Sequence, residues 1–472
     1  MLTRLEVDGF KNLLDLQVEF GAFTCIAGEN GAGKSNVFDA VQFLSLLAGM
    51  PMMDAAQHVR GVHGERIGDP RDLFWNGYEA TERRMSFAAE MIVPWDIEDD
   101  FGRVANPTIT FLRYVVEIGY SPPSGVEKIG RLRLLRESLT HINQGEAANH
   151  MRFPHHVKNF RSQVVRGRRS GVAFISTSTD SGEPVISIHQ DGGSRGMPRP
   201  AAASRAPATV VSTVTGTDDQ TILAAKREMQ SWRRLALEPS ALRTSDRYVD
   251  PRLMDTDGRH LAGTLYRIAA VEGHGDPIRV YSRVSNRLAE LTGVSVGRIE
   301  VVSDDVRELL TVYLTEASGL RLPARSLSEG SLRFLALCVL LEDSAMTGLF
   351  CTEEPENGIH PANLPSMVSL VQDLAVDVFD TPGTDNPFRQ VIINTHSPAV
   401  VQLVNPNDLL FASSVRKPSP DGTMSRSMML RPLVNTWRTG NKISREAVTM
   451  ADILPYLTAP PGAQLTLDVD AA

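Results

Sequence analysis

The sequence predicts an α/β protein with a mixed, mainly parallel sheet, interrupted by a large α+β insertion. Three observations predict it. Apolar and polar residues alternate from Leu2 to Asp8 and again from Leu13 to Phe20, after a turn at Gly9 to Asn12. A short apolar run, Phe23 to Ala27, then ends in a glycine-rich turn, and a helix begins inside that turn near Gly33 and runs to about Leu47. From about residue 298, strand and helix patterns alternate, which is the order that builds parallel sheets.

The elements follow in order. Val37, Phe38, Val41, Leu44 and Leu47 share one face of the first helix, and Gly49 and Pro51 stop it. Strand patterns recur at Met85 to Val93, Ile109 to Ile118 and Leu132 to Leu139. Gly192 to Ala208 holds Gly, Pro, Ser and Ala with almost no large apolar residue and reads as a mobile loop. Helical spacing occupies 218–243 and 259–293. Strands are expected at Ile299 to Val302, Leu309 to Leu314, Leu349 to Thr352 and Gln390 to Asn394, with helices at Ser331 to Leu341 and Leu364 to Val376. We therefore divide the chain into 1–140, an insertion at 141–297 for dimerisation or partner binding, and 298–472, with the outer parts forming one domain.

Composition bounds the function. The chain has 472 residues, 42% hydrophobic and 22% charged, with a formal net charge of -8. This is ordinary for a soluble protein of two to three domains, and it argues against a uniformly basic nucleic-acid binder. No segment approaches the ~18 uncharged apolar residues of a membrane span. The N-terminus has no apolar signal core, and Cys25, Cys338 and Cys351 lie in apolar stretches without metal-ligand spacing. These features predict a cytoplasmic protein with reduced core cysteines.

Four segments carry chemistry. Gly28-Glu29-Asn30-Gly31-Ala32-Gly33-Lys34-Ser35 matches G-x-x-x-x-G-K-S between a strand and a helix, followed by Asn36. Backbone N–H groups from Asn30 to Ser35 are placed to wrap a β-phosphate, with the helix N-terminus adding favourable partial charge. Lys34 is expected to reach the β- and γ-phosphates of ATP, and the Ser35 hydroxyl to ligate Mg2+. Second, the apolar run Leu349 to Thr352 carries Glu353 and Glu354 to its C-terminal edge, where α/β sheets bind ligands. Glu353 is placed for the metal shell and Glu354 for orienting and deprotonating water; by itself such a pair also fits a solvated acidic turn. Third, Leu327-Ser328-Glu329-Gly330-Ser331 opens a helix whose N–H groups can receive an anion, or it is a plain capping motif. Fourth, His396 in Asn394-Thr395-His396-Ser397-Pro398 is positioned for a γ-phosphate contact or a structural role.

In this order the four segments resemble the ABC-type ATPase head, over the first 50 or so residues and residues 320–400. Leu327 to Ser331 looks like the signature motif, Glu353 and Glu354 like the Walker B pair, Asn357 to His360 takes the D-loop's place, and His396 matches the switch histidine. The runs Thr352 to Pro361, Ser328 to Arg333 and Asn394 to Pro398 resemble RecF/SMC-related, OLD-like ATPases of bacteria, including antiphage-defence ATPase subunits such as those of Septu and PARIS. The family more often has Asp where Glu353 stands. No heptad predicts SMC-type arms, and no Q-loop glutamine is placed. About 75 residues follow His396, too few for a Toprim nuclease domain beside the ATPase edge, so Asp468-Val469-Asp470 reads as a disordered tail.

The resemblance implies a head-to-tail homodimer or higher oligomer in which Ser328, Glu329 and Gly330 of one subunit complete the ATP site of another. It implies a sensor or scaffold subunit of a defence system, controlling a separate nuclease or toxin effector. The alternatives are a RecF-like DNA repair or clamp ATPase and, less favoured, a transporter's nucleotide-binding subunit. Arg152, Lys158, Arg161, Arg166, Arg168 and Arg169 are candidate contacts to DNA or RNA, or else a solvated face or an acidic partner's surface. Ser444 to Leu457 reads as a partner-docking helix or one that closes the core.

Overall fold

The structure is a computed structural model that describes residues 1–60, 69–75, 84–123, 128, 130–179, 184–191, 197–203, 205–292, 296–418, 424–439 and 447–458. The chain forms two compact units. The first comprises Met1–Arg233, Val378–Pro382 and Pro406–Ala472, and the second Arg234–Asp377 and Gly383–Asn405.

The first unit holds an eight-stranded sheet. Its order is Arg199–Ala203, Val185–Ile188, Ile175–Ser178, Arg131–His141, Phe111–Ser121, Arg84–Ile92, Leu2–Asp8 and Leu16–Glu19. Neighbours are antiparallel throughout. Alternation explains the first strand from Thr3 onward: Thr3, Leu5 and Val7 are buried while Arg4 and Glu6 are half-buried. Leu5 pairs with Val18 on one side and Ala89 on the other. The helix Lys34–Leu47 joins this layer through an aromatic cluster. Ring centroids of Phe10 and Phe43 lie 5.8 Å apart, Phe10 and Phe87 5.3 Å, and Phe43 and Phe87 5.7 Å. Such pairs contribute about 1 kcal/mol each beyond their burial. A second ladder in this unit pairs Phe23–Gly28 in parallel with Leu409–Pro418, which pairs antiparallel with Met424–Pro432.

In the second unit Gly348–Glu353 runs parallel to Arg389–Thr395, with Glu353 opposite Asn394. The helices Glu329–Glu342 and Leu364–Asp373 accompany them. Arg389 is buried at the start of its strand, where its Nε donates to the Met346 carbonyl at 2.6 Å, and burial lowers its pKa to about 10. A separate antiparallel group contains Val296–Asp304, Leu309–Glu316 and Arg321–Pro323.

The α/β class and the mixed sheet hold. Parallel pairing joins Phe23–Gly28 to Leu409–Pro418 and Gly348–Glu353 to Arg389–Thr395, while the stretch from Arg84 to Ala203 pairs antiparallel. The reason is local: most successive strands there follow without a helix, and only short helical turns such as Ala147–His150 stand between His141 and Ile175, so the chain turns back on itself. The expected strand from Leu13 shortens to Leu16–Glu19, because Asp15 takes a left-handed conformation (φ 51°). The loop expected at 192–208 contains a strand, Arg199–Ala203, tied down by the 2.7 Å Arg199–Asp219 ion pair; residues 192–196 and 204 lie outside the described residues. So do Asp468 to Asp470 and residues 444–446. The last helix, Met450–Thr458, buries Ile453 and sets Tyr456 edge-on against Phe411 at 5.5 Å, so it closes the core of the first unit. Among the described residues the longest helix has 16 residues, and no helix is long and apolar enough to cross a membrane.

Candidate functional site

The loop from Gly28 to Ser35 follows the fully buried strand Phe23–Gly28 and leads into the helix Lys34–Leu47. Two of its glycines are required by geometry. Gly28 has φ +149° beside the neighbouring strand, and a Cβ there would stand 2.4 Å from the Ala412 carbonyl oxygen. Gly33, in the left-handed region at φ +101°, leaves no room either: a Cβ would meet the Asn12 side chain at 2.1 Å. Asn30 and Gly31 form the exposed crest, while Lys34 is buried. The Lys34 ammonium donates to the carbonyls of Gly28 (2.7 Å) and Glu29 (2.8 Å), which draws it across the loop. No side chain caps the helix at Gly33, and the Asn36 N–H donates to the Gly33 carbonyl at 2.9 Å. Desolvation raises the Glu29 carboxyl pKa, against the pull of Lys34.

The turn before the second strand braces this loop. Asn12 Nδ2 donates to the Ala32 carbonyl at 3.3 Å, and Asn12 Oδ1 accepts from Asn36 Nδ2 at 2.7 Å. Beside it, Lys11 Nζ donates to Asp39 Oδ2 at 2.6 Å, and Asp39 is fully buried in the helix. Asn12 and Lys11 read in the sequence only as turn residues. Nothing in their spacing links them to the loop.

In the second unit the strand Gly348–Glu353 ends on the carboxylate pair. Glu354 adopts φ +45°, a conformation that costs a non-glycine residue of order 1 kcal/mol. Its N–H is held by both the backbone oxygen (3.0 Å) and the side-chain oxygen (3.2 Å) of Asn394. Its carboxylate is hydrogen-bonded at one oxygen and approached by an imidazole at the other. Oε1 lies 2.9 Å from His396 Nδ1, and Oε2 accepts from Asn357 Nδ2 at 2.7 Å. Strain held by neighbours in this way is a mark of functional positions. Glu353 Oε1 is ion-paired with Arg234 at 3.1 Å, both being partly exposed. Glu356 is buried and bonded to Thr395 Oγ1, and burial raises its carboxyl pKa. The Thr395 hydroxyl also accepts from the Ser397 N–H at 2.9 Å, fixing the turn that carries His396. Arg234, Asn394 and Glu356 were not singled out by sequence. Arg234 comes to the acidic turn from a distant segment and Asn394 from the adjacent strand, while Glu356 lies in the turn itself; each is an ordinary residue in its own context.

Ser328 caps the helix Glu329–Glu342, accepting from the Ser331 N–H at 3.2 Å and lying 2.8 Å from Ser331 Oγ. Ser328 and Glu329 are exposed, so the capped end faces solvent. The structure therefore brings Asn357 and His396 to Glu354, with Glu353 beside it on Arg234, within the second unit, while Gly28 to Asn36 form a group within the first.

The basic stretch is less available than its composition implies. Arg152 is ion-paired with Glu19 at 3.1 Å and donates to the carbonyls of Trp437 and Arg438. Arg169 donates to the carbonyls of Val172, Gln190 and Asp191 and stacks 4.0 Å over Phe174. Arg166 donates to Gln163 and lies 5.1 Å over Trp95. Lys158 and Arg168 are exposed, and Arg161 is half-buried.

Residues 227–402 match the family model described as AAA domain, putative AbiEii toxin, Type IV TA system, and residues 4–53 match an AAA domain model. Two segments of the chain thus carry AAA-type ATPase domain sequence, one holding the phosphate loop and the other holding the acidic turn. No curated protein matches the chain. Among solved structures, the chain is similar to an SMC head bound to the C-winged helix domain of ScpA (14% identity, 91% of this chain and 98% of that chain, TM-score 0.44). It is also similar to an SMC head with an extended coiled coil bound to the C-terminal domain of ScpA, derived from Pyrococcus furiosus (13%, 91% and 96%, TM-score 0.42). A third is the SMC head domain from Thermotoga maritima (12%, 92% and 98%, TM-score 0.36).

Proposed function

We propose that the chain is a cytoplasmic, Mg2+-dependent ATPase that binds ATP on Gly28 to Asn36 and hydrolyses it with Glu354 and His396. The observation that carries this reading is the phosphate loop. A buried strand, glycines with positive φ at 28, 31 and 33, and a helix without a side-chain cap surround the Lys34 ammonium, which is drawn across the loop. The AAA-type matches over residues 4–53 and 227–402 support assigning the loop and the acidic turn to one reaction.

Each residue then has a task. Backbone N–H groups from Asn30 to Ser35 hold the phosphates, and Lys34 exchanges its carbonyl partners for phosphate oxygens. Glu354 orients the attacking water and takes its proton, with its carboxylate fixed by Asn357 and His396. His396 contacts the γ-phosphate. The Ser35 hydroxyl and the half-buried Glu353 carboxylate are hard oxygen donors of the kind Mg2+ takes, so these residues fit the ion. Mg2+ supplies charge neutralisation on the phosphate oxygens.

The exposed, capped helix end at Ser328 to Gly330 completes the reading: in a head-to-tail homodimer it receives the γ-phosphate of the partner's ATP. ATP then belongs to the interface and makes the dimer switchable. We assign the output to a separate nuclease or toxin effector, in a bacterial antiphage-defence system. The division into ATPase parts at 1–140 and 298–472 with an insertion between them belongs to the same proposal. Exposed Lys158 and Arg168 keep a second reading in play, a RecF-like clamp on DNA.

One variant tests these parts. Glu354→Gln is expected to lower hydrolysis about 100-fold or more and to trap an ATP-bound dimer. Light scattering with and without saturating ATP reads the trap; a protein that keeps its nucleotide-free mass sinks the clamp. Titrating the same variant with DNA across a salt series reads the second reading. A steep salt dependence favours the DNA clamp over the defence role, and no binding removes it.

A further inference from the structure

We infer that Arg234 is the resident counter-cation of Glu353, displaced when Mg2+ binds, and that it sets the Mg2+ concentration at which the nucleotide site loads. The inference rests on the ATPase reading above, in which Glu353 serves the metal. Arg234, on the short strand Arg233–Leu235, places a guanidinium nitrogen 3.1 Å from Glu353 Oε1. The carboxylate assigned to Mg2+ is therefore already ion-paired. Glu354, one residue on, is held quite differently, by an amide and an imidazole.

An arginine cannot lose its charge at any pH the protein survives. It cannot step aside by deprotonating, as a lysine or histidine might. While the guanidinium stays on Glu353 it opposes a divalent cation at the same oxygen, by charge and by occupancy. Mg2+ must then outcompete it. The second unit has room for the exchange. A cavity of about 200 Å³ is lined by Arg234, Glu353, Glu354, Asn357 and Glu238, over an apolar floor that includes Leu337 and Phe350. The guanidinium can leave along that wall without disturbing the core, and the exposed Glu238 offers it a second acidic partner. The pairing keeps Glu353 compensated while no metal is present, and loading then requires the nucleotide and Mg2+ together.

The test is a binding measurement. A fluorescent ATP analogue is titrated onto the full chain at a series of free Mg2+ concentrations. The readout is the Mg2+ concentration giving half of the metal-dependent gain in affinity. A partly exposed ion pair of this kind is worth about a factor of five, so Arg234→Gln is expected to lower that concentration about fivefold. Arg234→Lys keeps the charge but loses the fork, so it is expected to shift the midpoint about twofold in the same direction; it serves as the measurement if the glutamine variant does not fold. A midpoint that is unchanged or raised in the folded variants overturns the inference and leaves the ATPase reading standing. Wild-type nucleotide binding that ignores Mg2+ overturns that reading, and the inference with it.

Discussion

The phosphate loop and the acidic turn solve opposite problems in opposite ways. The loop is shaped by backbone. Gly28 and Gly33 sit where any side chain would collide, and the helix end carries no cap. The turn must hold two carboxylates in place, and it does so with side chains. Asn394 and Asn357 hydrogen-bond Glu354, His396 and Arg234 lie against Glu354 and Glu353, and Glu354 tolerates a left-handed backbone within that net. A site made of backbone is encoded over eight consecutive residues. A site made of side chains is gathered from 234, 353–357 and 394–396. The contrast predicts how each will fail: the loop all at once, the turn by degrees.

The largest expected effect lies in the loop. Lys34→Ala removes the single ammonium drawn across it and leaves the Gly28 and Glu29 carbonyls without that donor. Charge-assisted bonds to phosphate are strong, so ATP affinity is expected to fall roughly 100-fold or more. Equilibrium binding of a fluorescent nucleotide measures it. Tight binding by this variant would sink the loop assignment and the contrast with it.

The carboxylates extend the contrast into stability. Glu137 in the first unit is fully buried and accepts the N–H groups of Val210 (2.6 Å) and Val211 (2.9 Å) and the Tyr114 hydroxyl (3.1 Å). Even so, desolvation dominates and raises its pKa to about 7. The folded chain therefore keeps this proton up to about pH 7, while an unfolded chain releases it near the ordinary carboxyl value of 4.5. Between those values the native state binds more protons, so stability falls as pH rises. The span corresponds to roughly 3 kcal/mol, fully present below pH 4.5 and lost by pH 7. Urea unfolding of the wild type is expected to show a lower midpoint at pH 7.5 than at pH 5. Glu137→Gln is expected to flatten that difference; an unaltered pH dependence would place its origin elsewhere.

The same division explains what could be read from the sequence. Glycines between an apolar strand pattern and a helix pattern announce the loop, because the chemistry and the local fold are the same residues. Glu353 and Glu354 were legible as a pair at a strand end, and His396 by its place after the next strand. Their partners were not. Asn394 ends an apolar strand, where it reads as a boundary residue, and its double hold on the Glu354 N–H depends on parallel pairing with another strand. Arg234 lies in a stretch whose spacing suggested continuous helix, yet the helix stops at Gln230 and a short strand follows. The basic run from Arg152 to Arg169 misleads in the opposite direction. Composition suggests an open patch, while Arg152 and Arg169 are committed to carbonyls and to an aromatic ring. The antiparallel sheet of the first unit is built from strand patterns that were visible singly. Their shared order was not, because pairing across Leu139 and Ile175 is a long-range fact.

The smallest effect belongs to the net's least conspicuous member. Asn394→Ala removes a side-chain oxygen 3.2 Å from the Glu354 N–H and leaves the backbone bond at 3.0 Å intact. Glu354 would keep its place on the chain but lose part of what holds its φ of +45°. One neutral hydrogen bond contributes about 1 kcal/mol, so a misaligned base should slow hydrolysis about five- to tenfold. Nucleotide affinity should be unchanged, since the loop supplies it. Single-turnover hydrolysis beside equilibrium binding separates the two. A loss of affinity equal to the loss of rate would mean that the turn also binds nucleotide, and the division of labour between backbone and side chains would have to be redrawn. A rate that falls alone, and only partly, confirms that the turn fails by degrees.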